Sequence, residues 1–208
     1  MFNKNLNNIS YSAKFQVCFL GDQSSGKTTV MRKIFNKNIP ITPTIGVDYD
    51  SKITNYGNRE IKLSIWDLSG AQRFRPILKN YYNDNDMIVL FLDLTKDVFT
   101  SLKYWLDQFK QFLKDDIPIL IVLNKSDMVE DFNITPILEE TTKYINKYDI
   151  IFHNIKIDKY DKQFIEKKIF NLLIDELIEI DLSDNFLPKR PKEKREFCFI
   201  AFFKSLWK

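Results

Sequence analysis

Eight residues, Gly21-Asp22-Gln23-Ser24-Ser25-Gly26-Lys27-Thr28, stand between the apolar run Phe15 to Leu20 and a stretch of helical period from Thr29 to Asn36. Their spacing is G-x-x-x-x-G-K-[ST], and in this setting it fixes the local path as strand, tight loop and helix start. Consecutive backbone N–H groups and the positive end of the helix then converge on one point. That arrangement suits a polyphosphate, and Gly26 lets the main chain approach it closely. Gln23, Ser24, Ser25, Gly26, Lys27, Thr28 and Thr29 are the expected phosphate-side residues. Lys27 is expected to reach the β- and γ-phosphates, and the Thr28 hydroxyl to ligate Mg²⁺.

The rest of the chain continues the same alternation. Tyr49 to Tyr56 and Glu60 to Asp67 read as two strands joined by a hairpin turn at Gly57-Asn58. Met87 to Asp93 and Ile117 to Asn124 read as buried strands, with the helical pattern Phe99, Leu102, Trp105, Leu106, Phe109, Phe112, Leu113 between them. Pro136 to Tyr148 and Phe164 to Ile178 read as helices on either side of a strand from Ile150 to Ile157. The expected fold is α/β, a six-stranded, mostly parallel sheet with one antiparallel strand and helices on both faces. In such sheets ligands lie at the carboxyl ends of the strands, and the phosphate loop falls there.

A phosphate loop alone does not choose between adenine and guanine. Asn124-Lys125-Ser126-Asp127 follows the strand Ile117 to Leu123, where a base can lie. A carboxylate at Asp127 accepts from both N1–H and the exocyclic amine of guanine, and adenine offers no such donor pair. Lys125 can lie along the base, and Asn124 can tie this loop to the phosphate loop.

Over roughly residues 13 to 180 the chain resembles a Ras-superfamily GTPase of the Rab branch, most densely from Gly21 to Asn83. Thr44-Ile45-Gly46-Val47-Asp48-Tyr49 resembles the Rab first switch, and Trp66-Asp67-Leu68-Ser69-Gly70-Ala71-Gln72-Arg73-Phe74 the second. Gln23-Ser24, Asp50-Ser51-Lys52 and Arg73-Phe74-Arg75 look most like the Golgi-trafficking subgroup. The resemblance implies the P-loop small-GTPase fold, GTP or GDP with Mg²⁺, and roles for particular positions. Thr44 would give its hydroxyl to Mg²⁺ and its N–H to the γ-phosphate. Asp67 would hold Mg²⁺ through water, and the Gly70 N–H would sense the γ-phosphate. Lys27, Thr44, Gly70 and Gln72 are the implied catalytic set; Thr28, Thr44 and Asp67 the implied metal set. Tyr49, Trp66 and Tyr81 match positions that Rabs present to effectors, and the switches would also meet exchange factors and GTPase-activating proteins. For Trp66, plain core packing is an equal reading.

Four departures qualify this. Where the family places a water-orienting glutamine after the switch glycine, this chain has Ala71, with Gln72 one position late. Hydrolysis is therefore expected to be weak, since turnover in this class is slow even with that residue. The first-switch loop is about two residues short, and Ile39-Pro40-Ile41-Thr42-Pro43 stiffens it, with Ile39 where relatives place an aromatic ring over the base. No Ser-Ala-Lys follows the strand from Ile150, and the substitutes near Lys156-Ile157-Asp158-Lys159 align ambiguously. The C-terminus carries no prenylation box.

The composition, 208 residues with 44% hydrophobic and 28% charged, suits one domain with a tail. The net charge of +3 resides in the tail, because Lys189 to Lys208 holds seven Lys/Arg against Glu193 and Glu196. The chain divides into a polar extension at 1–12, a GTPase domain at 13–180 and a basic, aromatic tail at 181–208. Lys189-Arg190-Pro191-Lys192-Glu193-Lys194-Arg195 leads into Phe197 to Phe203. Such a stretch can lie in an anionic membrane surface with Cys198 acylated, or fold back, or stay disordered, and the residues do not choose. Cys18 and Cys198 are too separate in sequence for a disulfide framework, which fits a reducing cytoplasmic setting, with peripheral contact to Golgi or vesicle membranes as the further expectation. His153 lacks a nucleophile partner, and neither zinc spacing nor a nucleic-acid-reading motif is visible. The reading that results is a monomeric GTP-binding Rab-like switch of vesicle traffic. Its alternative is a hydrolysis-deficient GTP-binding interaction module outside conventional Rab cycling.

Overall fold

A computed structural model describes residues 13–38, 40, 42–57, 59–113, 117–129, 133–145, 150–154, 170–171 and 173–178. The expectations placed on 1–12, Ile39, Lys156 to Lys159 and the tail lie outside the described residues. The strands are β1 (Ala13–Gly21), β2 (Val47–Tyr56), β3 (Arg59–Leu68), β4 (Met87–Asp93), β5 (Ile119–Asn124) and β6 (Ile150–Asn154). They form one six-stranded sheet in the order β2-β3-β1-β4-β5-β6. The pairs β1·β3, β1·β4, β4·β5 and β5·β6 are parallel, and β2·β3 is antiparallel. The fold class read from the sequence is thus the fold observed.

Period-two alternation explains the layering. Phe15, Val17 and Phe19 of β1 point to one face, together with Met87, Val89 and Phe91 of β4. There they meet Val30, Met31 and Ile34 of helix α1 (Lys27–Ile34) and Phe170, Leu173 and Leu177 of the C-terminal helical stretch. Cys18 and Leu20, with Ile88, Leu90 and Leu92, point to the other face. There helix α3 (Val98–Phe112) covers them with Leu102, Trp105, Leu106 and Phe109. Central strands clad on both sides must be apolar throughout, and every residue of β4 and β5 is buried. Leu102 has no exposed surface, so Leu102→Ala is expected to destabilise the chain by about 2–5 kcal/mol. A urea midpoint within error of wild type would contradict this layering.

Element ends shift for local reasons. β5 starts at Ile119 rather than Ile117, because Pro118 has no N–H for the ladder; its carbonyl instead accepts from Ile88 N at 3.0 Å. α1 ends at Ile34, where Asn36 takes a left-handed φ of 52°. The N–H of Asn36 then reaches the Lys33 carbonyl and that of Lys37 the Arg32 carbonyl, which closes the helix end. Asp97 caps α3 by accepting from Thr100 N at 3.1 Å. A short helix α2 (Arg75–Leu78) lies between 3-10 turns at Gln72–Phe74 and Lys79–Asp84, and α4 (Thr135–Ile145) precedes β6. Among the described residues no helix is long and apolar enough to cross a membrane.

Candidate nucleotide site

The carboxyl ends of β1, β3, β4 and β5 meet around the loop from Gly21 to Thr28. Three residues with positive φ shape that loop, Gly21 at 140°, Ser24 at 66° and Gly26 at 100°. A Cβ on Gly26 would lie 2.1 Å from Asn124 Nδ2, so the position is closed to any side chain. The reason is a contact between loops: Asn124 Nδ2 donates to the Ser25 carbonyl at 2.7 Å. Gln23 and Ser24 are exposed on the loop crest, Ser25 is buried, and Thr29 is half-buried in the first turn of α1. Lys27 is 5% exposed and folds back, its Nζ donating to the carbonyls of Gly21 at 2.9 Å and Asp22 at 2.8 Å. Burial pulls its ammonium down to about 8, against the opposing pull of the Asp67 and Asp22 charges.

Beside the loop, three oxygen-bearing side chains come together from three elements. Thr28 Oγ1 donates to Asp67 Oδ2 at 2.5 Å, and Thr44 Oγ1 donates to the same oxygen at 3.0 Å. The two hydroxyls are 2.8 Å apart. Asp67 has no exposed surface, and its second oxygen, Oδ1, is buried with no partner among the described residues. Burial raises its carboxyl above the ordinary carboxylate range despite the two threonines and the charge of Lys27. A buried carboxylate with one idle oxygen and two hydroxyls beside it is a hard oxygen set of the kind that suits Mg²⁺. The residues present therefore fit the ion.

The second switch begins directly above this point. A Cβ on Gly70 would lie 2.3 Å from both the Asp22 carbonyl carbon and the Gln23 nitrogen. Only a glycine lets the chain rest on the phosphate loop there. Ser69 N donates to the Gly46 carbonyl at 2.8 Å, which joins the two switch segments, and Ser69 Oγ accepts from Ala71 N at 3.4 Å. Ala71 is half-buried and extended, while Gln72 is exposed in the following 3-10 turn. Sequence order thus leaves a methyl group beside the switch glycine and carries the amide side chain outward.

Just beyond the end of β5, Lys125 adopts a left-handed φ of 63° and its Nζ donates to Asp93 Oδ2 at 2.6 Å. Asp127 is exposed in the turn Ser126–Met128 that follows. Asp93 was not singled out from the sequence. Its signal was a carboxylate ending an otherwise apolar strand, and the parallel register then sets it beside Asn124. Burial pushes its carboxyl up, but the Lys125 ammonium and the hydroxyl and N–H of Thr95 outweigh that and hold it below its ordinary value. A carboxyl that is lower in the folded chain adds stability above its unfolded value, near about pH 4, and loses it as pH falls through the folded one. Asp93→Asn should therefore flatten the loss of stability below about pH 4, read by urea melts at stepped pH; an unchanged slope would count against the pair.

Tyr49, Trp66 and Tyr81 form a ladder of rings, with centroids 4.6 Å apart for the first pair and 5.9 Å for the second. Trp66 is half-buried against the core and donates through Nε1 to Gln16 Oε1 at 3.2 Å, while both tyrosines are exposed. Ile45 and Ile77 are also exposed, at 78% and 62%. The sequence gives Asp22 and Arg75 only as members of their motifs and no role to Lys96 or Ser101, although Lys96 Nζ donates to the Gln23 carbonyl at 2.9 Å.

A family model described as "Ras of Complex, Roc, domain of DAPkinase" matches residues 16–127, more than half of the chain. The chain belongs to this family, within the Ras-superfamily small GTPases. Guanine nucleotide and Mg²⁺ are what this family of domains binds in general. Among curated proteins the GTPase is similar to the mouse Ras-related protein Rab-26, with 30% identity over 125 residues, 58% of this chain and 48% of the relative. The matched part thus spans about half the length of that relative.

Proposed function

We propose that this GTPase is a Rab-like molecular switch of intracellular vesicle traffic that recruits effectors when GTP is bound. What carries the proposal is the meeting of Thr28, Thr44 and Asp67 at one buried oxygen, since it joins the phosphate loop to both switches. Thr28, Thr44 and Asp67 would hold Mg²⁺, which would supply positive charge to answer that of the phosphates. The phosphate loop from Gln23 to Thr29 would wrap the phosphates, with Lys27 turning from its carbonyls to the nucleotide. Gly70 N–H would meet the terminal phosphate, and Asn124, Lys125 and Asp127 would read guanine. The ring ladder Tyr49, Trp66, Tyr81 is the effector face of this reading. The domain would run over 13–180, between the polar extension and the basic tail. The Golgi subgroup rests on Gln23-Ser24 and its companion segments in sequence alone.

Hydrolysis is taken to be weak, because Ala71 offers the attacking water no hydrogen bond and Gln72 points outward. That observation also supports the second reading, a GTP-loaded interaction module. Hydrogen exchange of the purified chain tests the switch itself. Residues 44–49 and 70–78 should exchange more slowly with a GTP analogue and Mg²⁺ than with GDP. Identical exchange in the two states would end the switch proposal.

A further inference from the structure

An acid inside a loop that must accept phosphates is unfavourable unless its charge is answered, and Asp22 is such an acid. Its carboxylate turns away from the loop interior. Oδ1 accepts from Arg75 NH2 at 2.6 Å, and Oδ2 accepts from Ser101 Oγ at 2.5 Å. The pair is only partly exposed, 17% for the Arg75 side chain and 29% for that of Asp22. Arg75 is further fixed from behind, its guanidinium lying 4.0 Å from the Tyr104 ring and 5.4 Å from the Trp105 ring on α3. A stacked and paired guanidinium loses little further freedom, which separates this pair from the ordinary solvated ion pair of a protein surface.

Arg75 opens α2 in the second switch, five residues after Gly70. Gly70 rests on the Asp22–Gln23 peptide, and Arg75 grips the Asp22 side chain. The segment between them, which holds Ala71 and Gln72, is thus pinned to one loop residue at both ends. We propose that Asp22 and Arg75 are positioning residues whose ion pair keeps the Gly70 N–H in reach of a terminal phosphate. The pair thereby favours a nucleoside triphosphate over a diphosphate. A diphosphate makes no call on Gly70, so it feels the pair through charge alone and not through the position of that N–H. This inference rests on the guanine-nucleotide reading of the site.

The chemistry predicts an asymmetry. Removing Arg75 alone both releases the segment and leaves the Asp22 charge unanswered beside bound phosphates. Removing the Asp22 charge alone only releases it. In calorimetric titrations with GDP and with a non-hydrolysable GTP analogue, Arg75→Gln should lower the preference for the analogue by about tenfold, and Asp22→Asn by less. The double variant should be no worse than Asp22→Asn, so the second change rescues the first. Thermal melting without nucleotide shows that each variant is folded. An unchanged preference in Arg75→Gln, or losses that multiply in the double variant, would overturn the proposal. Wild-type protein that bound neither nucleotide would remove the guanine reading instead. The latch is then decided by hydrogen exchange at 70–78 in Asp22→Asn against wild type, where faster exchange supports it and unchanged exchange overturns it.

Discussion

Asp127→Asn is expected to weaken GDP and GTP binding by about 100-fold or more while leaving the fold intact. The carboxylate is exposed and set in the turn after Lys125, so little packing depends on it. Its place beyond the end of β5 follows from Asn124, which ties β5 to the phosphate loop at 2.7 Å, and from the left-handed Lys125, where the chain turns. A charged acceptor paired with two guanine donors contributes two charge-assisted hydrogen bonds, and an amide in its place presents an N–H to one of those donors. Xanthine, which carries an oxygen where guanine has its amine, should then bind the variant better than guanine does. Retained GDP affinity in Asp127→Asn would show that the base is read elsewhere.

Restoring glutamine at the other end of the site is the second large effect. Ala71→Gln is expected to raise single-turnover GTP hydrolysis by about tenfold or more, the scale of a positioned side chain orienting a nucleophile. The position lies next to Gly70, whose main chain touches the phosphate loop, so a side chain there is close to where a terminal phosphate would lie. Gln72, one residue on, is exposed in its 3-10 turn. The companion variant Gln72→Ala should leave the slow wild-type rate nearly unchanged. If Ala71→Gln had no effect and Gln72→Ala abolished turnover, the offset glutamine would be the working one and hydrolysis would not be impaired by this route. A strong gain would favour the cycling switch, because it would show the remaining machinery intact; no gain in Ala71→Gln together with an unchanged slow rate in Gln72→Ala favours the interaction module.

Strand and helix order was readable because apolar alternation and the parallel layout constrain each other: Phe15 to Leu20 and Met87 to Asp93 admit few other placements once helices must cover both faces. The ends of elements were less readable, since Pro118 and Asn36 act through single backbone groups that periodicity does not weigh. At the site, residues in the contiguous patterns Gly21 to Thr28 and Asn124 to Asp127 carried their own signal. Asp93 with Lys125 is separated by 32 positions and Asp22 with Arg75 by 53, so nothing in a linear pattern joins them. Such pairs become visible only when strand order brings loop ends together. The same holds for Gly70, whose need to be glycine comes from the Asp22–Gln23 peptide rather than from its own turn.

The hairpin of β2 and β3 pairs from Val47 opposite Leu68 down to Tyr56 opposite Arg59, and the bond from Ser69 N to the Gly46 carbonyl adds a rung beyond Leu68 at the nucleotide end. Both switches are therefore the loose ends of a single zipper. A ligand that drew Thr44 and Gly70 inward would pull on both strands from the same end. Tyr49 and Trp66 face each other two rungs inside that end, so any change in its pairing meets this aromatic pair first among the ring contacts.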